Sequence, residues 1–419
     1  MEARLKLVPE DLSIDLRQLV MTIANAVDLV GVDDLLHGRR VGMLARELVA
    51  ALGHDAADQL LLYDAGLLHD CGVSSTRVHK KLVADLEWSG SQAHCIRGDE
   101  LLRDFVPLAH LAPIIRYHHS RWMWLIEQKD IPARTALFAN LIFLAARIDV
   151  LAAPYHADHT VLAHADEIRE RLVAERGRLF APELIDVFIQ HSRGEAFWLS
   201  LQPESVQQYQ TEMEAFGDLR RLDWDEFKQC ANIFARIIDA KSPYTEQHSR
   251  GVSLLSRHIA AKMGLDPVTC EKIEVAGLLH DIGKLQIPDE IIEGHHALTP
   301  QEFNIMKGHS FGTRQVLKRL NAIDDLARWA YYHHETPDGQ GYPFHIGGKD
   351  LPIEARIINV AAIFQALAQE RPYRKPMMPA EIMAILNERA QTGRADPEVV
   401  AVIAGDLDNC HRIALCCEA

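Results

Sequence analysis

The chain has 419 residues, 48% of them hydrophobic and 25% charged, with a formal net charge of −15. That length exceeds one ordinary core and predicts two or three domains. The negative balance excludes a general polyanion binder, so polymeric nucleic acid is not an expected partner, although a small phosphate-bearing ligand stays open wherever arginines cluster. Taken in order, the opening MEARLKLVPEDLSIDLRQL mixes both charges and lacks the apolar core of a signal peptide. No apolar run reaches the roughly 18–20 residues of a membrane span, and a cytoplasmic protein without a membrane partner is the expectation. Apolar residues at i, i+3, i+4 spacing predict a helix over VGMLARELVAAL and another over VSLLSRHIAAKM. The polar stretch 201–222 reads as a linker or connecting helix. Thr299-Pro300-Gln301-Glu302 reads as a capped helix start with a capping box. No period-2 run competes, so the fold class is all-α. Seven scattered cysteines, none in a CxxC pair, predict reduced thiols rather than a zinc ribbon or a disulfide framework.

An internal repeat organises this helical chain. AGLLHD stands at Ala65–Asp70 and again at Ala276–Asp281, 211 residues later. His37 and His248 each precede the His-Asp pair by 32 residues. Asp28 and Asp239 share the 211-residue offset. Each copy adds another histidine, His94 or His309, and 24 residues on a His-His pair, His118-His119 or His333-His334. A duplicated domain follows, with a first copy over 1–200, the connection over 201–222 and a second copy over 223–419.

A lone histidine on an apolar helix is usually a core residue. A set of five histidines and one aspartate kept at fixed spacing in two copies points instead to metal binding. Imidazole and carboxylate suit Fe, Mn, Zn or Ni, and one carboxylate can bridge two ions for in-line attack on a phosphoester.

In the second copy VAGLLHDIGKLQIPDEII, LTPQEFNIMKGHS, YYHHETPDGQGYPFHIGGKDLP, ARIINVAAIF and RPYRK resemble, in order, the landmarks of the HD-GYP phosphodiesterases, a branch of the HD metal-dependent phosphohydrolase superfamily. The resemblance spans about residues 225–395. It implies an all-helical fold of tandem HD-type domains, two divalent ions (iron or manganese) and hydrolysis of cyclic di-GMP or a related cyclic dinucleotide in second-messenger signalling. It assigns His248, His280, Asp281, His309, His333 and His334 to the metals, with Asp281 bridging. Lys284 falls beside the scissile phosphate, so Lys284 and Asp281 carry the catalytic assignment. Gly341, Tyr342 and Pro343 match the signature loop, and Arg371 and Arg374 match phosphate-binding positions. A signalling-protein partner and a homodimer are compatible with the resemblance.

Two departures matter. The family's last ligand is an Asp in a block like VADVFDAL, where this chain reads VAAIFQAL, with Ala362 and Gln365 at the two Asp positions. One site intact and one weakened is the expectation, with a weak or inactive binding or docking module as the alternative function. Tyr244 stands where some relatives carry a Glu for a third ion, so two ions are the ceiling. The first copy keeps His37, His69, Asp70, His94, His118 and His119, but carries Val73 at the Lys284 position, HHSRWMWLIEQKDIP instead of the GYP loop, and Ala146 at the missing Asp, with Asp149 three residues on as a substitute. It reads as a degenerate HD domain. Regulation, dimer contacts and structural support are its open roles, and histidines surviving only as packed core residues are the alternative.

Overall fold

The computed structural model describes residues 14–31, 36–84, 86–214, 220–242, 247–370 and 374–416. Tyr244, Arg371 and Cys417 therefore lie outside the described residues. The chain is all-α: β-structure among the described residues is limited to two strands of two residues each and isolated bridge residues such as Arg176 and Phe180. It divides into two compact units, one over Asp15–Arg220 and the other over Arg221 onward together with Ile14.

The N-terminal unit is built on α1 (Leu16–Asp28), α2 (His37–Ala51), α3 (Ala56–Leu68), α4 (Gln92–Leu102), α5 (Ala112–Tyr117) and α6 (Ala133–Ala152). The C-terminal unit repeats the plan with α7 (Trp224–Asp239), α8 (His248–Lys262), α9 (Pro267–Leu279), α10 (Pro300–Leu317), α11 (Asp324–Tyr331) and α12 (Ile353–Ala368). In each unit the second helix lies along the third and against the sixth.

The repeated AGLLHD explains that packing. A Cβ on Gly66 would sit 2.5 Å from the Cα of Gly42, and one on Gly277 would sit 2.7 Å from the Cα of Ser253. Only glycine lets the two backbones approach so closely. Leu67, Leu68, Leu278 and Leu279 are buried beside them. The His-Asp pair is thereby delivered at the end of a helix clamped inside the core.

Capping sets the helix starts. Thr299 accepts from the Glu302 amide at 3.3 Å and Glu302 accepts from the Thr299 amide at 2.8 Å, the capping box its sequence predicts. Asp223 and Glu226 do the same for α7. Such caps are worth about 0.5–2 kcal/mol each.

Two expectations meet the structure here. Of the two readings of 201–222, linker or connecting helix, the structure has a helix: Pro203–Glu214 belongs to the N-terminal unit, with Val206, Gln210 and Met213 buried. Its Tyr209 hydroxyl donates to Glu47 and accepts from Arg46, both at 2.7 Å, which docks an otherwise polar helix on α2. The second concerns apolar runs. Ala133–Tyr155 is long and apolar enough to cross a membrane by length and composition, but most of its apolar window is buried inside the protein. It carries Asn140, Arg147 and Asp149, all buried, and serves as the unit's core helix. The six described cysteines are unbridged.

Candidate metal centre

Six side chains converge in the core of the C-terminal unit. His248 opens α8, His280 ends α9, Asp281 follows it, His309 lies within α10, and His333 and His334 follow α11. Two groups of ligand-type atoms result, His248, His280 and Asp281 in one and His309, His333 and His334 in the other. Asp281 links them. Its Oδ2 faces the Nε2 atoms of His248 and His280 at 3.3 and 3.1 Å, and its Oδ1 faces those of His309 and His333 at 3.4 and 3.7 Å.

Hydrogen bonding on the far side of four of the five rings fixes their tautomers. The Nδ1–H groups of His280, His309 and His333 donate to the carbonyls of Gly277, Met306 and Ala330 at 2.7, 2.6 and 2.7 Å. His248 Nδ1 donates to the Gln365 side-chain oxygen. A neutral ring that donates through Nδ1 has only a lone pair at Nε2. Burial keeps three of the rings neutral: it lowers His309 to about 4 and takes His333 and His334 well below their ordinary value. Burial works against a charge on Asp281, but His280 and Lys284 beside it hold the carboxyl well below the usual carboxylate range.

Apart from the Lys284 ammonium on Asp281 Oδ2 and the Ser310 hydroxyl 3.4 Å from His309 Nε2, the cluster brings acceptors face to face. His309 and His333 face each other Nε2 to Nε2 at 3.3 Å, a separation two nitrogens keep when each is about 2.1 Å from a common ion. Buried Asp281 Oδ1 makes no hydrogen bond. Lone pairs arranged in this way repel one another until a cation sits among them, so the residues fit a divalent metal. Chelation is expected to lower the melting temperature of the full chain and divalent metal to restore it; at 100 times the dissociation constant the gain is about 2.7 kcal/mol. A scan that is unchanged by chelator, on protein whose metal content has been measured before and after, would contradict this.

The glycine shared by CGV and IGK has a positional reason. A Cβ on Gly283 would lie 2.0 Å from the His309 carbonyl, as would one on Gly72 from the His94 carbonyl. The turn bearing the aspartate is thus pressed onto the helix bearing the next histidine. Gly283→Ala is expected to cost about 1–3 kcal/mol through overpacking and to displace His309, read as a lower urea midpoint together with reduced metal content.

Lys284 places its Nζ 2.5 Å from Asp281 Oδ2. His334 lies at the cluster's open side and lines a cleft of about 520 Å³ with Phe303, Lys307, Tyr342, Arg389 and Arg394. The signature loop is tied down over this cleft. Tyr342 stacks on His334 with ring centroids 4.7 Å apart, and its amide donates to the His334 carbonyl at 3.1 Å. Buried Glu335 accepts from the Phe344 and Ile346 amides at 2.7 and 3.0 Å. Gly341 fits only without a side chain, since a Cβ there would come within 2.4 Å of Glu335. The Tyr342–Pro343 peptide is cis.

Some assigned residues fall elsewhere. Gly341 and Tyr342 line the cleft, whereas Pro343 is not among its lining residues. Arg374 is not there either. Its guanidinium donates to the carbonyls of Ala366, Leu367 and Lys375 at 2.6, 2.8 and 3.2 Å, capping the end of α12. Lys307, Arg389 and Arg394 are the cations of this cleft, and the motif reading missed them. Lys307 comes from α10, inside the LTPQEFNIMKGHS block but without an assigned role there, and Arg389 and Arg394 come from a segment that no quoted block covers. Asn359 was also missed; it donates to the His333 carbonyl at 2.7 Å and steadies the His-His pair.

The N-terminal unit builds the same frame. His37, His69 and Asp70 form one group and Asp70, His94, His118 and His119 another. Asp70 Oδ2 faces His69 and His37 at 3.3 and 3.9 Å, and its Oδ1 faces His94 and His118 at 3.2 and 3.8 Å. The same convergence of histidines on one aspartate thus recurs in this unit. Asp149 does not replace the missing ligand. It sits behind His37, accepting from Nδ1 at 2.6 Å and pairing with Arg40, the role Gln365 plays for His248. Val73, at the lysine position, is buried.

HD-domain profiles match residues 35–180 and 232–399. The chain is 35% identical over 417 residues to the 3'3'-cGAMP-specific phosphodiesterase 1 of Vibrio cholerae serotype O1, covering 98% of this chain and 96% of that one. It is 41% identical over 134 residues to the cyclic di-GMP phosphodiesterase of Thermotoga maritima, 32% of this chain and 36% of that one. The crystal structure of a cyclic GMP-AMP specific phosphodiesterase of V. cholerae superposes with a TM-score of 0.63 at 25% identity, covering 94% of this chain and 98% of that one. With its two HD domains, its paired histidine–aspartate clusters and its GYP loop, the chain belongs to the HD-GYP family of metal-dependent phosphohydrolases.

Proposed function

We propose that the C-terminal unit is a phosphodiesterase for a 3'3'-linked cyclic dinucleotide, cyclic GMP-AMP or cyclic di-GMP, working with two divalent ions of iron or manganese. The observation that carries this reading is the opening of the His309–His333–His334 cluster into a cleft that combines aromatic rings with three cations. Near full-length similarity to a relative named for 3'3'-cGAMP supports the substrate class. His248, His280 and Asp281 would hold one ion, and His309, His333, His334 and the other oxygen of Asp281 the second. When bound, the metal pair polarises the phosphoryl oxygens and lowers the pKa of a water.

The remaining work falls to the chain. Tyr342 and Phe303, 5.9 Å apart edge to face, offer ring surface to the bases. Lys307, Arg389 and Arg394 neutralise the phosphates. Lys284, next to Asp281, is placed to stabilise charge that develops on the scissile phosphate. Lys284→Ala is expected to lower kcat by about 100-fold with metal content unchanged; equal losses of metal and activity would make Lys284 a support of the centre instead. Ala362 leaves the first ion one carboxylate short, so turnover is expected below that of a chain with aspartate there.

The direct test is turnover of cyclic GMP-AMP and cyclic di-GMP by full-length protein reconstituted anaerobically with Fe(II) or Mn(II), with products separated by chromatography. Linear dinucleotide or mononucleotide supports the reading. No product from protein with measured metal would sink it and leave a cyclic-dinucleotide-binding module.

A further inference from the structure

A large cavity lies in the N-terminal unit, and hydrolysis in the C-terminal unit makes no use of it. Its volume is about 740 Å³, against about 520 Å³ for the cleft of the C-terminal unit, and pre-formed ligand sites run to roughly 300–1,000 Å³. Its walls include Trp88, Met123, Trp124, Phe143, Arg121 and Arg147.

Three features make this a built site. First, His119 lines the cavity and also belongs to the cluster with Asp70, His94 and His118. His334 stands in the same relation to its own cleft and cluster, so the cavity opens onto the metal-type centre of its unit. Second, the aromatic walls are pre-oriented. Trp88 lies against Gly90, where a Cβ would come within 2.2 Å of the indole. Trp124 sits on the short helix Trp122–Leu125, whose first amides donate to the Leu179 and Arg178 carbonyls at 3.0 and 3.1 Å. This segment occupies the sequence position of the GYP loop. Third, of the two acids in the wall, Glu87 and Glu127, the first is neutralised: Glu87 accepts from Arg121 at 2.5 Å and from Arg178 at 3.0 Å. Trp124 is nonetheless 42% exposed and Met123 46%, so apolar surface faces an open cavity.

Indole faces take a planar base, and arginines beside a histidine–aspartate centre take a phosphate. The geometry points to a second nucleotide site: the N-terminal unit binds a nucleotide without hydrolysing it, base against Trp88 and Trp124 and phosphate toward His119, Arg121 and Arg147. The cleaving machinery is missing because Val73, buried, replaces the lysine. The phosphate end rests on the metal reading proposed for the C-terminal unit, whereas the stacking end stands without it.

The test uses full-length, Mn(II)-supplemented protein carrying Asp281→Asn, which silences turnover. Calorimetric titration with cyclic GMP-AMP, cyclic di-GMP, GMP and inorganic phosphate separates the nucleotide classes from a bare anion. The expected result is nucleotide binding that Trp88→Ala or Trp124→Ala, both at accessible positions, weakens at least about tenfold, while Tyr342→Ala leaves it intact; tryptophan fluorescence is quenched in parallel. Binding that Tyr342→Ala alone abolishes would overturn the proposal, as would binding of phosphate alone or of no probe up to millimolar concentration. Turnover of the unmutated chain, measured separately, judges the C-terminal reading, so either can fail without the other.

Discussion

Asp281→Asn is expected to leave a folded protein that has lost at least 100-fold in turnover and most of its tightly bound metal. The size follows from position. Altering an outer-shell partner of a metal ligand already costs 10–100-fold, and Asp281 is the residue whose two oxygens face both histidine pairs, Oδ2 toward His248 and His280, Oδ1 toward His309 and His333. The amide keeps shape and volume, so core packing is spared. It removes the negative charge and puts an NH₂ donor where lone pairs meet a cation. Metal analysis after dialysis, a urea titration and the turnover assay are read together. Full metal retention with lost turnover would confine Asp281 to the chemical step, and unchanged turnover would remove it from the centre.

The second large effect has the opposite sign. Ala362→Asp is expected to raise metal affinity at the His248–His280–Asp281 group at least tenfold and to raise turnover at limiting metal. Asn359 and Gln365 on α12 touch His333 and His248, and Ala362 lies between them on the same helix face, so a carboxylate there would point at the centre. Ala362 is 9% exposed, and a buried carboxylate without a partner is costly. The variant should therefore melt below the unmutated chain when stripped of metal and above it when loaded. Two shifts of the same sign would show that residue 362 does not reach the ion.

Much of the centre was legible because its signals are local. AGLLHD encodes a buried helix end carrying a ligand pair, and the spacing of His248, His309 and His333-His334 follows from the lengths of α8 to α11. The capping box at Thr299 was readable for the same reason, since both partners lie within four residues. Arg374 misled because a cationic side chain in a loop looks alike whether it meets a ligand or, as here, the last carbonyls of α12. Asp149 misled because register along a helix does not say which side of a histidine ring a carboxylate will reach.

By itself, then, the sequence determined the duplication, the helical class, the candidate ligand set and the loss of lysine and loop from the first copy, since each is a matter of residue type and of spacing along one chain. Only the tertiary structure decided that one aspartate faces two histidine pairs in each unit, that Lys307, Arg389 and Arg394 share the cleft with His334, and that the degenerate copy keeps a tryptophan-walled cavity over its own cluster. Those juxtapositions join residues dozens of positions apart, and the packing of helices on one another, which no local periodicity encodes, brings them together.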